Sequence, residues 1–471
     1  MIDLISERVG GRVLACNDEF FAEAANLLKA SPPTANDDYT DRGKWMDGWE
    51  TRRRRDSGHD WCVLALGIPG KVGRVVVDTS HFTGNYPEEF SLEGSGDGDP
   101  EEAEWFELIP RTGLSGDSVA TFEVASTARL AMVRLNIFPD GGIARLRLEG
   151  DPVPDVAAIC TDGLVDLASS AVGGEVIDAS DLHYSHPSNV LRPTRPAGMW
   201  DGWETKRRRD EGHDWIVVKL GLPGDIVELD VDTAYFKGNA PGWVSAEVSS
   251  NLAVWRRVVD RVPVEPHQHN RITLGTAESG SHLRLSIHPD GGLARLRVMG
   301  RPEHTVAGAR CVDYLNSLTE RQALRFFERA CGSSRWAREV TARRPYPSVA
   351  AVLDTAESVF DSLVESDWLE AFGAHPRIGE RGDGVANREQ AGTATASRTT
   401  LRDLVEVNRR YEEKHGFTFI VYATGKNADE MLEIARERLD RERDDEIVNA
   451  AGEQRKITRT RLARMLCQED R

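Results

Sequence analysis

At 471 residues the chain is too long for one ordinary hydrophobic core, and three domains are the natural expectation. Its 40% hydrophobic and 29% charged residues are the composition of a globular protein, and a formal net charge of −18 argues against nucleic acid or an anionic membrane as a partner, since phosphate binding needs a basic surface. The six cysteines (Cys16, Cys62, Cys160, Cys311, Cys331, Cys467) form no C-x-x-C pair, no apolar run reaches membrane-spanning length and the first fifteen residues do not read as a leader, so free thiols and a cytoplasmic location are expected.

In chain order, Asp18, Phe21, Asn26 and Leu28 come first. They are followed by DGWETRRRRDSGHDW (Asp47–Trp61), VVVDTSHFTGNYP (75–87) and FPDGGIARLRLEG (138–150). The same blocks then return. Asp181, Tyr184, Asn189 and Leu191 stand at an offset of 163, and DGWETKRRRDEGHDW (Asp201–Trp215) at 154 with thirteen of fifteen positions identical. LDVDTAYFKGNAP (229–241) keeps the offset of 154, and HPDGGLARLRVMG (288–300) stands at 150. Offsets that step only between blocks mean loops of changed length on a common frame, hence two sibling domains. Trp61–Leu66, Arg74–Asp78 and Ala144–Leu148 read as short strands, punctuated by IPGKVG, GNYP and PDGG. Ala144, Leu146 and Leu148 alternate with Arg145 and Arg147, the pattern of a half-buried strand. The expected fold is therefore two tandem all-β, jelly-roll-like sandwiches (1–160 and 161–302), joined across Asp151 to about Gly174.

Beyond Arg301 the texture becomes helical, and an all-α domain is expected over 303–471. RPEHTVAGAR (301–310) reads as a linker and Ser317-Leu-Thr-Glu320 as a capping box. Leu401, Leu404, Val405, Asn408 and Tyr411 form one helical stripe, Ala428–Leu439 is amphipathic, and Glu446–Leu466 is a long last helix. A Gly-rich polar loop, 375–400, lies between helices.

The doubled string Asp-Gly-Trp-Glu-Thr-(Arg/Lys)-Arg-Arg-Arg with Gly-His-Asp-Trp behind it resembles the allantoicase family. So do Val-Asp-Thr-x-x-Phe-x-Gly-Asn and Pro-Asp-Gly-Gly-(Ile/Leu)-Ala-Arg-Leu-Arg, the likeness covering residues 12 to 302. The resemblance implies two jelly-roll-like repeats and hydrolysis of allantoate to ureidoglycolate and urea. The residue types suit that chemistry. Arginine matches a carboxylate, here Arg53 and Arg207. Expelling urea needs a proton on the leaving nitrogen, and replacing it needs water and a base. Glu50, His59 and Asp60, with Glu204, His213 and Asp214, are the acid–base candidates; Asp78, Asn85, Asp232 and Asn239 are candidates for holding ureido groups. A plainer reading stands beside each. Trp49, Trp61, Trp203 and Trp215 read as core, the arginine run as a solvated face, Asp78 and Asp232 as turn caps, and each His-Asp pair as a structural hydrogen bond. The copies also differ, with His81 and Thr83 in one where Tyr235 and Lys237 stand in the other. No cofactor is expected; His-Asp is not a metal-ligand spacing, and a divalent metal in the front domains stays open. A duplicated ligand-binding module is the alternative from another class.

In the last third, His375-Pro-Arg-Ile-Gly379, Arg388-Glu-Gln-Ala-Gly392, Asn408-Arg-Arg-Tyr411, Gly416-Phe-Thr-Phe-Ile-Val421 and Arg461-Leu462 together resemble the OHCU (2-oxo-4-hydroxy-4-carboxy-5-ureidoimidazoline) decarboxylase family, over about 312 to 467. That resemblance implies an all-α, cofactor-free decarboxylase yielding allantoin. It makes His375 the acid–base residue, Glu389 and Gln390 the groups that orient or protonate the substrate, Arg461 a carboxylate partner, and Gly416 with Phe417 a backbone binding strip. Loss of CO₂ leaves an electron-rich centre to be protonated, and His is the side chain poised for this near neutral pH. The sequence departs from the family at Ala386, where Ser is usual, and a non-catalytic scaffold is the alternative for this domain. The expectation is a bifunctional enzyme of purine catabolism, its partners being allantoate, OHCU and further copies of the chain, with neither nucleic acid nor membrane.

Overall fold

The computed structural model describes residues 2–124, 127–161, 163–375 and 398–467. The chain divides into two compact units, Met1–Ser317 and Leu318–Arg471.

The first unit holds the two repeats, each a jelly-roll-like sandwich. In the first repeat the central strand is Asp60–Asp78, one continuous run of 19 residues rather than the two short strands expected from the sequence. Its first part pairs antiparallel with Leu130–Phe138 and Arg12–Cys16. Its last part pairs with Arg145–Pro152 and Val119–Glu123. The strand thus changes neighbours midway through IPGKVG and serves both layers. This is why turn-like residues there do not end it: Gly67 and Gly70 sit where another backbone comes too close for a side chain. Glu89–Ser95 and Phe106–Gly113 extend the layer beyond Leu130–Phe138. Between the layers Val75, Val77, Leu92, Val133, Leu135, Leu146 and Leu148 pack into one core.

The second repeat copies this plan around Asp214–Asp232, flanked by His269–His288 and Arg295–Pro302. Two loop differences explain the stepping offsets. Between the Asn-x-Leu block and the Asp-Gly-Trp block the first repeat carries a small extra hairpin, Tyr39–Thr40 with Gly43–Lys44. In the loop after Glu89–Ser95, Trp105 follows Ser95 by ten residues, whereas Trp255 follows Ser249 by six.

The segment read as a linker is mostly helix. His304–Ser317 follows directly on the last strand of the second repeat and belongs to the first unit. The capping box lies two residues further on than expected. Thr319 is the N-cap of Glu320–Glu328, and Gln322 returns the bond to its backbone, because Ser317 is consumed by the preceding helix. The second unit continues with Ser334–Thr341, Val349–Phe360, Glu365–Gly373, Arg398–His415, Ala428–Leu439 and Arg443–Met465. On Arg398–His415, Leu404, Asn408 and Tyr411 are buried, but Val405 is 54% exposed and lies off the stripe.

Candidate active site

Much of the duplicated signature is consumed in building the repeat. Trp49 and Trp203 are wholly buried, their indole N–H groups donating to the carbonyls of Asp18 and Asp181 at 2.8 and 3.0 Å. Asp47 accepts from Arg145, the arginine after the Pro-Asp-Gly-Gly turn, at 2.7 Å; Asp201 accepts from Arg295 at 2.6 Å. Both arginines are 1% exposed and also donate to backbone carbonyls, so the charges are paired and the N–H groups satisfied. This latch ties the first motif of each repeat to its last.

The latch places Glu50 and Glu204. Trp49–Glu50 pairs with Gly142–Ile143, and Trp203–Glu204 with Gly292–Leu293. Gly142 lies against the Phe82 ring with no room for a side chain, and Gly141 has φ +142, a value L residues rarely adopt; Gly291 and Gly292 repeat both features against Phe236. The loop holding Asn85 is pinned to this turn, its carbonyl accepting from Gly142 N–H at 2.7 Å. Its side-chain amide then donates to Glu50 Oε1 at 2.7 Å; Asn239 does the same for Glu204 at 2.6 Å. The second oxygen of each glutamate has no hydrogen bond among the described residues. Burial pushes the Glu50 carboxyl above its ordinary range, only partly opposed by the Asn85 bond. The extra hairpin of the first repeat lies beside this point, with Arg42 donating to the carbonyl of Phe20 while Phe21 N–H bonds the carbonyl of Glu50.

The other predicted residues of the repeats make no bond to Glu50 or Glu204 among the described residues. Asp60 and Asp214 are almost fully buried and accept from Arg54 (2.5 Å) and Arg208 (2.8 Å), with Asn17 and Ser180 as second donors. Neither bonds to the ring of the preceding histidine. Asp78 and Asp232 each accept from the backbone N–H two residues on, at 2.8 Å, as turn caps do. Arg53 and Arg207 are exposed. His59 is half-buried against Phe138 (ring centroids 4.7 Å) and His213 is exposed beside His288 (4.6 Å).

His59 lines a cleft of about 570 Å³ on the outer sheet face, with Trp61, Trp105, Glu93, Arg134 and Asn136 among its walls. Arg134 grips Glu93 at 2.6 and 2.8 Å and lies 4.9 Å from the Trp105 ring centre. That grip holds the Glu93 carboxyl below its ordinary range. The second repeat has the same trio, Glu247, Arg284 and Trp255, with a single Arg284–Glu247 contact at 3.1 Å and 4.1 Å from guanidinium to ring. Sequence reasoning missed this trio. Its signal was the offset itself: Glu93 to Glu247 keeps 154, while Trp105 to Trp255 and Arg134 to Arg284 keep 150.

In the second unit His375 ends the turn after Glu365–Gly373, and its Nδ1 lies 3.5 Å from Arg461 Nη2. A guanidinium donating there requires the neutral ring with its proton on Nε2. Phe417 is buried, tilted against Phe372 and edge-on to Tyr411, behind Gly416 at φ +79. Tyr411 donates to Glu446, which Arg438 also grips at 2.7 Å, so the Asn-Arg-Arg-Tyr motif anchors the strip Gly416–Val421 from behind. Glu389, Gln390 and Ala386 lie outside the described residues. Among the described residues, no three His, Cys, Asp or Glu side chains are placed to share a metal ion, and no helix is long and apolar enough to cross a membrane.

Comparison with known proteins bears on both units. The allantoicase repeat model matches twice, over residues 2–153 and 165–303, and the OHCU decarboxylase model matches 316–463. Over 318 residues the chain is 43% identical to a probable allantoicase of Streptomyces coelicolor, covering 63% of this chain and 85% of that protein. It is 42% identical over 319 residues to a probable allantoicase of Pseudomonas aeruginosa, covering 64% and 96%. A crystal structure of allantoicase from Saccharomyces cerevisiae superposes with a TM-score of 0.55 at 32% identity, over 64% of this chain and 92% of that one.

Proposed function

The chain belongs to the allantoicase family and carries an OHCU decarboxylase domain behind its two repeats, and from that footing we propose that Glu50 is the proton-transfer group of the hydrolase. The protein is a fused enzyme of purine catabolism: the repeats hydrolyse allantoate to ureidoglycolate and urea, and the helical domain converts OHCU to allantoin. The observation that carries the residue reading is the Glu50 carboxyl, raised by burial and held through one oxygen by Asn85 while the other stays open. A carboxyl so placed keeps its proton to higher pH than a surface glutamate and can deliver it to the leaving urea nitrogen as the C–N bond breaks. The resulting carboxylate takes a proton back from the water that adds to the same carbon. Arg53, exposed and without a carboxylate partner among the described residues, receives the substrate carboxylate. Asn85 is a positioning residue, since its amide is committed to Glu50. Glu204 with Asn239 repeats the geometry without the extra hairpin.

In the helical domain His375 moves the proton and Arg461 both fixes its tautomer and meets the substrate carboxylate. The protein is further proposed to act in the cytoplasm and as a homo-oligomer.

The test is urea release from allantoate. Glu50→Gln, which keeps the Asn85 contact but carries no transferable proton, is expected to lower kcat by ~100-fold or more while KM moves little. Glu204→Gln is expected to fall short of that loss. A Glu50→Gln enzyme with undiminished kcat would sink the assignment.

A further inference from the structure

The two repeats meet along a cleft of about 750 Å³ that belongs to neither sandwich alone. From the first repeat comes the turn Glu7–Val9, which places Arg8 in the cleft; from the second comes Arg192, just after the turn Pro187–Leu191. The contact is fixed by Thr194, whose hydroxyl donates to the Arg8 carbonyl at 2.9 Å. Trp200 lies 5.8 Å from the Arg8 guanidinium.

Two features set Arg8 apart. Its guanidinium makes no hydrogen bond or ion pair with any described residue, and its Nε is buried with no acceptor. It also shares its cleft with another cation. Arg192 is engaged with Asp201 and Asn189, and its ionisation is depressed to about 10, first by burial and next by the charge of Arg8. Two guanidiniums lining one cleft, one of them with a buried Nε and no acceptor, are an arrangement that an oxyanion relieves by bridging them. Arg310 and Lys71 line the same cleft, also without a carboxylate partner among the described residues. The carboxylates of Asp3, Asp151, Glu175 and Asp313 line it too, but none bonds to Arg8. The feature is not a by-product of duplication. At the offset of 163 that relates these turns, Arg8 corresponds to Ala171, so the pseudo-equivalent position has no charge.

We propose that the inter-repeat cleft is a binding site for a small oxyanion, carboxylate or phosphate in class, held between Arg8 and Arg192 and separate from the Glu50 and Glu204 sites. The carboxylate could come from the ureido acids the enzyme handles, the phosphate from free inorganic phosphate.

The experiment is calorimetric titration of the full chain with two probes, inorganic phosphate and hydantoate, the latter a ureido acid with no second ureido group to expel. Expected is one site per chain for at least one probe, weakened tenfold or more in Arg8→Gln and partly restored in Arg8→Lys. Which probe binds identifies the source. Hydantoate that binds the Glu50 site gives a component that Arg8→Gln leaves intact, so the two readings fail separately. No site for either probe, or unchanged binding in Arg8→Gln, overturns the proposal. Urea release by the variants reports that they are folded; should Arg8→Gln show none, Arg8→Met is judged by the same criterion.

Discussion

At the scale of single residues, burial outweighs pairing at Asp3, whereas at Asp47 pairing with Arg145 and Lys29 wins. Asp3 is raised from 3.8 to about 6, first by burial, although Arg147 lies 3.6 Å away and the N–H groups of Leu148 and Ile5 donate to it. Arg147 is lowered, also by burial first. Both partners lose charge affinity, so the pair does not recover its desolvation cost. A carboxyl raised in the folded state favours folding at low pH, and that contribution is lost as pH climbs from about 4 through about 6. The gap corresponds to about 3 kcal/mol at most. Asp3→Asn, which keeps an acceptor for Leu148, is therefore expected to flatten stability across that window, as read by urea unfolding at pH 4, 5, 6 and 7. An unchanged slope would mean Asp3 does not titrate there. The sequence offered Glu50, Asn85 and His375 as candidates from their motifs, alongside Asp60 and Asp214, yet could not show that those aspartates are gripped by Arg54 and Arg208, because the arginines read equally well as surface charge.

Elements in this molecule are held by devices at their ends. The Asp47–Arg145 latch joins the strand bearing Glu50 to the Pro-Asp-Gly-Gly turn. Arg145→Met should cost about 3 kcal/mol, the low end for breaking a buried pair, because Lys29 at 3.0 Å still partners Asp47. Denaturant unfolding measures this, and Asp47→Asn added to Arg145→Met should recover part of the loss. Thr319→Ala, removing the cap of Glu320–Glu328, should cost about 1 kcal/mol. The alternation in ARLRL foretold its strand correctly. The unbroken 19-residue Asp60–Asp78 strand was not legible, since local turn signals in IPGKVG are overridden by pairing with distant strands. Likewise, Ser317 and Thr319 both fit a cap, and only the extent of His304–Ser317 decides between them.

As a whole molecule, the chain carries two reactions that do not follow one another, since ring opening of allantoin must intervene and the described units hold no third catalytic module. His375→Asn is accordingly expected to abolish decarboxylation of OHCU while urea release from allantoate stays within about twofold; a parallel fall in both would show that the units act as one. The duplication was legible because whole blocks recur, and the helical third because its ordered motifs sit on helical periodicity. What the repeats build where they meet was not, as Arg8 and Arg192 share no motif and come together only in three dimensions. The latches carry one more consequence, for the order in which the protein comes into being. Asp47 and Arg145 are 98 residues apart, Asp201 and Arg295 are 94, and the two latches are chemically alike. On the ribosome Arg145 emerges before Asp201 exists, so the first repeat can close on its own aspartate without competition. A full-length chain refolding from denaturant has no such order: Arg145 meets both aspartates at once, and crossed closure is the expected trap, read as a slow refolding phase that Asp201→Asn removes.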